Sequence, residues 1–256
     1  MLDLEQHADI ISTHILMDLP YDDQLDGLTL AQGFDLSDMV AARLEKPLGG
    51  FAGYKIAWNT QALMDRFDMP HPGMGRVFNS QVHHGSVDLA LDDYRDFMFE
   101  PEIIAVLGAD LKPGEDHTVA SIAGSVARFS AGFELLDRRG LPVAEATGAQ
   151  ILAHNVFNAG AVVGLGRVAP HEANIEEMTT RVQVNADMLV EDTGVAPQHP
   201  LEAIAFLANH YCGRGQTMQA GQLILCGSHT PLQPVTEPTR VSMSMGRLGT
   251  AEIELR

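Results

Sequence analysis

The run Phe99-Glu100-Pro101-Glu102-Ile103-Ile104-Ala105-Val106-Leu107 constrains this chain more than any other segment. Its apolar and β-branched residues read as a strand. Its first half sets two glutamates at alternate positions, which on a strand share one face about 6–7 Å apart. Two arrangements satisfy that pattern. The acids can sit on the charged face of an edge strand that meets solvent. Alternatively they are buried around something positive, since unpaired buried carboxylates are costly. Oxygen ligands alone would favour a hard divalent ion, Mg²⁺ or Mn²⁺.

A third acid bears on the choice. Glu134 lies in Ala131-Gly132-Phe133-Glu134-Leu135-Leu136-Asp137-Arg138-Arg139, again among apolar residues. It can pair with Arg138 or Arg139, or it can complete a three-carboxylate face with Glu100 and Glu102.

The charge balance excludes several partners. The chain of 256 residues carries 34 acids against 16 Lys and Arg, a formal charge of −18. Nucleic-acid binding runs on clustered cations, and docking on an anionic membrane does too, so neither is expected. An anionic small molecule would be repelled as well, unless a metal or a local cation reverses the field. The start, Met1-Leu2-Asp3-Leu4-Glu5, lacks the basic and apolar regions of a secretory signal. No apolar stretch approaches the roughly 18–20 residues that span a bilayer. Cys212 and Cys226 read as two free thiols in a reducing compartment. A soluble cytoplasmic protein is the expectation.

Residues 1–50 read as a helical portion and 51–256 as a β-rich body, together one domain. Leu4, Ala8, Ile11 and Ile15 line one helix face, and Leu36 to Glu45 forms a second helix. Strands are expected at Gly53–Trp58, Glu100–Leu107, Phe133–Asp137, Ile151–Val163 and Leu223–Cys226, with a loop at His71–Gly75. Val119, Ile122, Val126 and Phe129 space as a helix stripe. Pro200 opens another helix, and Val241 to Leu255 reads as a hairpin. Strands outnumber helices without regular interleaving, so the class is α+β.

Taken in order, several segments resemble one family. They are Gly53-Tyr54-Lys55-Ile56, the Glu100-Pro101-Glu102 strand, Phe133-Glu134-Leu135-Leu136-Asp137, Ala153-His154-Asn155, His199-Pro200 and Ala220 to Ser228. Together they resemble the 2-keto-4-pentenoate hydratase/4-oxalocrotonate decarboxylase branch of the fumarylacetoacetate hydrolase family. The resemblance implies a mixed β-sheet roll with peripheral helices, a homo-oligomer, and a small 2-oxo acid substrate. It implies metal ligation of Mg²⁺ or Mn²⁺ by Glu100, Glu102 and Glu134, and catalysis by Lys55. The implied reaction is hydration of a 2-hydroxy-2,4-dienoate. Decarboxylation of a 2-oxo diacid, acylpyruvate hydrolysis and a non-catalytic binding role are the alternatives. A metal that chelates the carboxylate and 2-oxo oxygens acts as a Lewis acid toward an enolate.

The chain departs from that family at several positions. His154 stands where the family usually has Asp, and an imidazole titrates near neutrality where Asp does not. His154 is therefore expected either to carry protons or to serve as a structural residue beside a turn. Asn79 and Gln222 replace acids elsewhere. Asn155, Arg76 and Ser228 are expected to bind substrate, with Arg76, Arg138 or Arg139 available to a second carboxylate.

Overall fold

The computed structural model describes residues 3–21 and 25–256. Two helices come first, α1 (Leu4–Leu16) and α2 (Leu30–Glu45), followed by β1 (Phe51–Ala57), α3 (Gln61–Arg66) and β2 (Gly73–Phe78). Short strands β3 (Val82–His84) and β4 (Ser86–Leu89) lead to β5 (Phe97–Leu107), α4 (Val119–Ala123) and β6 (Val126–Asp137). Then come α5 (Gly148–Ala153), β7 (Asn158–Val163), β8 (Thr179–Val184), β9 (Asp187–Thr193) and α6 (Pro200–Gly213). The chain closes with β10 (Leu223–Ser228), β11 (Gln233–Pro234), β12 (Thr239–Ser244) and β13 (Thr250–Leu255).

One mixed sheet runs β2-β1-β10-β5-β6-β7-β3, with β11 paired to β5. It curls until β2 comes back against β7. Ala52, Val77, Ile104, Val106, Ala161, Val163, Leu223 and Leu225 fill the interior as one apolar cluster. A second sheet, β4-β13-β12-β8-β9, packs on the outside. Its Val182, Val241 and Met243 join Phe99, Ile103, Phe133 and Leu135 of the roll in the largest cluster, with α6 against the same core. The expected α+β roll with peripheral helices is the fold observed.

The N-terminal helices follow from local chemistry. Asp3 caps α1 by accepting from the Gln6 N–H, and Thr29 with Gln32 forms a capping box on α2. Ala8 and Ile11 of α1 meet Leu36, Val40 and Leu44 of α2 in a second cluster. Each fully buried Leu there contributes about 1.5–3 kcal/mol. Arg43 ties the pair at its solvent face through Glu5 and Asp9.

Three local readings change. The 119–129 stripe is helical only to Ala123; β6 starts at Val126, and Phe129 pairs with Ala105 of β5. Pairing with the long central strand overrides the helical spacing. Ile151 belongs to α5, because Thr147 and Gln150 form a capping box before it. The glycines at 73 and 75 lie in β2 rather than in a loop. They are there for space: a Cβ on Gly73 would meet the Trp58 ring at 2.7 Å, and one on Gly75 would meet Asn155 O at 2.9 Å.

Candidate active site

The carboxylate cluster is built by strand register. Glu100 of β5 lies directly opposite Glu134 of β6, and Glu102 follows two residues along on the same face. Like charges placed opposite each other in a sheet are destabilising. Here they are also desolvated: Glu102 and Glu134 are fully buried and Glu100 is partly buried. One oxygen from each of the three lies within 4.8 Å of the others.

Each buried acid has one oxygen occupied and one free. Glu134 Oε1 takes Lys55 Nζ at 2.9 Å and Asn158 Nδ2 at 2.9 Å. Glu102 Oε2 accepts the Gly227 N–H at 2.7 Å. Glu102 Oε1 and Glu134 Oε2 have no hydrogen-bond partner. A native interior rarely tolerates such orphans without an ion or water to receive them. Two orphaned carboxylate oxygens beside a third acid form a hard-cation donor set, and these residues fit a divalent metal.

The electrostatics agree. Burial, then Glu134 opposite, raises the Glu100 carboxyl to about 7, with Lys55 pulling the other way. Glu102 is driven well above the ordinary range by burial, Glu134 and Glu100. A divalent ion would reverse both effects by favouring the charged forms.

Irregularities in the strands aim the supporting groups. The β10–β5 register shifts between Leu225 and Ser228, where Gly227 has φ +109°. That bulge turns the Gly227 N–H onto Glu102. A second shift, at Leu135/Leu136 opposite β7, accompanies the inward turn of Asn158.

A cavity of about 580 Å³ opens beside the cluster, with Lys55, Glu100, Gly227 and Ser228 in its lining. Trp58, Phe67, Leu136, Ile151, Val156 and Phe157 supply an apolar wall. Ser228 donates to the Thr230 carbonyl at 2.7 Å.

The other expected residues lie elsewhere. His154 caps α5, packs against Tyr21 with ring centroids 4.8 Å apart and planes tilted by 58°, and does not line the cavity. Burial, reinforced by Arg139 and His14, lowers it to about 3, so it is neutral at ordinary pH.

Asn155 is also away from the cavity. It accepts from the Arg76 N–H at 2.7 Å and donates to the Arg76 carbonyl at 2.8 Å, which clamps β2. The Arg76 side chain is buried between Asp38 and Gln216, each 2.9 Å from Nη2, with Tyr211 4.5 Å from its guanidinium. It lines a separate cleft, where its charge is already used. Arg139 is buried too. Of the arginines considered, Arg138 alone reaches the cavity.

Asn158, Gly227, Asn59 and Arg66 are additions from the structure. A glycine inside a strand is a readable bulge signal, and Gly227 carried it. Nothing local ties Asn158 to an acid 24 residues earlier.

No family model matches the chain. It is 25 % identical over 206 residues to the 2-oxo-hept-4-ene-1,7-dioate hydratase of Escherichia coli, covering 77 % of this chain and 76 % of that protein. It is 26 % identical over 200 residues to a 2-keto-4-pentenoate hydratase of Paraburkholderia phymatum, covering 78 % and 74 %. The structure of 4-oxalocrotonate decarboxylase from Pseudomonas putida G7, complexed with magnesium and adipate, superposes with a TM-score of 0.90. That match covers 99 % of this chain and 97 % of that one at 19 % identity. The fold is fumarylacetoacetate hydrolase-like. The resemblance to the hydratase/decarboxylase branch, read first from ordered motifs, is borne out by these relatives. A fumarylpyruvate hydrolase from Pseudomonas aeruginosa, in complex with Mn²⁺ and pyruvate, shares this fold more distantly, with a TM-score of 0.60 over 79 % of this chain and 88 % of that one at 14 % identity.

Proposed function

We propose that this chain is a metal-dependent hydro-lyase that hydrates a 2-hydroxy-2,4-dienoate, by way of its 2-oxo tautomer, to a 4-hydroxy-2-oxo acid. The observation that carries the reading is the pair of orphaned oxygens on Glu102 and Glu134, set beside Glu100 and Lys55. The hydratases among its relatives support it, and so do the metal ions in the neighbouring structures.

Glu100, Glu102 and Glu134 would hold Mg²⁺ or Mn²⁺, which supplies Lewis-acid polarisation of the 2-oxo acid when bound. The rest of the chemistry falls to the chain. A proton leaves the 2-hydroxyl and one is added at C5; water then adds its hydroxyl at C4 and its proton at C3. Lys55 lines the cavity and is held by Glu134 Oε1, which suits it to donate or shuttle these protons. The apolar wall of Trp58, Phe67, Val156 and Phe157 suits a conjugated carbon chain and excludes bulk water.

Purified protein with 2-hydroxypenta-2,4-dienoate and Mg²⁺ should bleach the dienol absorbance and yield a 4-hydroxy-2-oxo acid. Absence of metal-dependent loss, or equal turnover by Glu102→Gln, overturns the reading.

Decarboxylation on the same site is the second reading, favoured by Arg138 in the cavity lining, where a second carboxylate would need a cation. Release of CO₂ from 2-oxo-3-hexenedioate separates the two. Cytoplasmic location fits the two free buried thiols, and no helix among the described residues is long and apolar enough to cross a membrane. A homo-oligomer would cover the exposed Leu165, Met188 and Leu189; sedimentation of the purified chain tests it.

A further inference from the structure

The cavity shares part of its lining with a neighbouring cleft. Arg66, the last residue of α3, and Arg138, after β6, line both, whereas Lys55 and Glu100 line only the cavity. The lining of the cavity therefore combines Lys55 and Glu100, apolar side chains and two arginines.

The two arginines differ in how they are held. Arg138 is fixed by Asp96, with Nε 2.7 Å from Oδ2 and Nη2 3.1 Å from Oδ1. Its Nη1 makes no hydrogen bond or ion pair among the described residues. Arg66 is exposed, with its guanidinium carbon 5.3 Å from the Phe67 ring centroid and no ion pair among the described residues. Its acidic neighbour Asp65 is bonded to Gln61 instead. The cleft lining thus holds two guanidinium groups and one carboxylate, Asp96, a cationic excess on a chain of net charge −18. The planar fork of a guanidinium matches a carboxylate, and Asp96 holds that of Arg138 in place.

We propose that Arg66 and Arg138 form a subsite for a second carboxylate, so that the chain selects 2-oxo dicarboxylates over 2-oxo monocarboxylates. This rests on the reading of the Lys55 side as a metal-dependent 2-oxo acid site. Under hydration it makes the substrate a dienoic diacid; under decarboxylation it identifies what holds the carboxylate remote from the metal.

Calorimetry on the Mg²⁺-loaded protein with 2-oxoadipate and 2-oxohexanoate tests it, since the two share the 2-oxo acid head and differ by one terminal carboxylate. The contacts to a second carboxylate are charge-assisted, so the diacid should bind about tenfold tighter or more. Arg66→Gln and Arg138→Gln should each reduce that ratio severalfold, and the double variant should bring it close to one. Equal affinity of the wild type for both acids overturns the proposal, as does a ratio unchanged in both variants. Both outcomes leave the metal-site reading standing. Failure of either acid to bind in a Mg²⁺-dependent way overturns that reading, and the subsite with it.

Discussion

Lys55 Nζ lies 2.9 Å from Glu134 Oε1, and both side chains are buried. In sheet order their strands, β1 and β6, are separated by β10 and β5. The contact therefore exists only because the sheet curls, and the ion pair crosses the interior of the roll. Supersecondary geometry, rather than sequence proximity, brings the cation to the acids.

Lys55→Met should remove the cation and leave buried Glu134 without its ion-pair partner. Loss of one partner of a buried pair costs about 3–5 kcal/mol, which a thermal melt of metal-free protein would register. Mg²⁺ should recover part of that loss. Turnover should fall by about 10²–10⁴-fold, the range for a positioned proton donor. Retention of wild-type kcat would remove Lys55 from the chemistry.

Asn158→Ala should weaken metal binding while leaving the three acids in place. It deletes one of the two donors on Glu134 Oε1. Outer hydrogen-bond partners of this kind are typically worth about 10–100-fold in metal affinity. Titration of Mn²⁺ followed by its electron paramagnetic resonance signal reads this directly. An unchanged dissociation constant would reduce Asn158 to packing.

The pH dependence of metal-free stability should carry the mark of Glu100. Its carboxyl, raised to about 7 by burial and Glu134, keeps a proton that an unfolded chain releases near the ordinary 4.5. Between those values the folded state binds more protons, so this group's contribution to stability falls as pH rises. The slope is about 1.4 kcal/mol per pH unit, and it flattens above 7. Glu100→Gln abolishes the term, so its Tm advantage over wild type without metal should grow from pH 4.5 to 7. The buried His154 and His229 and the half-buried His210, lowered to about 3, 4 and 4 respectively, act in the opposite sense but cancel in the difference. A Tm difference independent of pH contradicts the assignment.

His154→Phe should leave kcat/KM within about threefold of wild type, because the ring is neutral and outside the cavity lining. Its effect should fall on stability, through the contact with Tyr21. A hundredfold loss of kcat at unchanged fold would restore His154 to the mechanism.

The acids were legible in the sequence because strand alternation puts Glu100 and Glu102 on one face whatever the rest of the fold does. Glu134 was legible through its apolar context and the family resemblance. His154, Asn155 and Arg76 were not placed correctly by the same reasoning. Their residue types suit a substrate site, but α5 and the turn after it send the first two away from the cavity. The register of β2 leaves Arg76 on the outside of the roll, against Tyr54 and Tyr211. Arg66 and Arg138 are joined by cavity shape, which no local spacing encodes. The hairpin of β8 and β9 was also missed, although Thr179 to Val184 is β-branched at four of six positions.

Asn155, Val156 and Phe157 all have left-handed backbone, with φ of 54°, 46° and 63°. Non-glycine residues adopt it at a cost of about 1–2 kcal/mol each, and a β-branched valine does so rarely. Asn155's two bonds to Arg76 and the missing Cβ of Gly75 hold the turn in place. The last two residues of that turn are cavity wall. The wall is thus a sprung surface whose latch, the Asn155 clasp on the β2 backbone, is not itself part of the cavity lining. Substitutions at the latch should reshape what the cavity accepts without altering any atom that meets the ligand, so the specificity of this protein is tunable from outside its own active site.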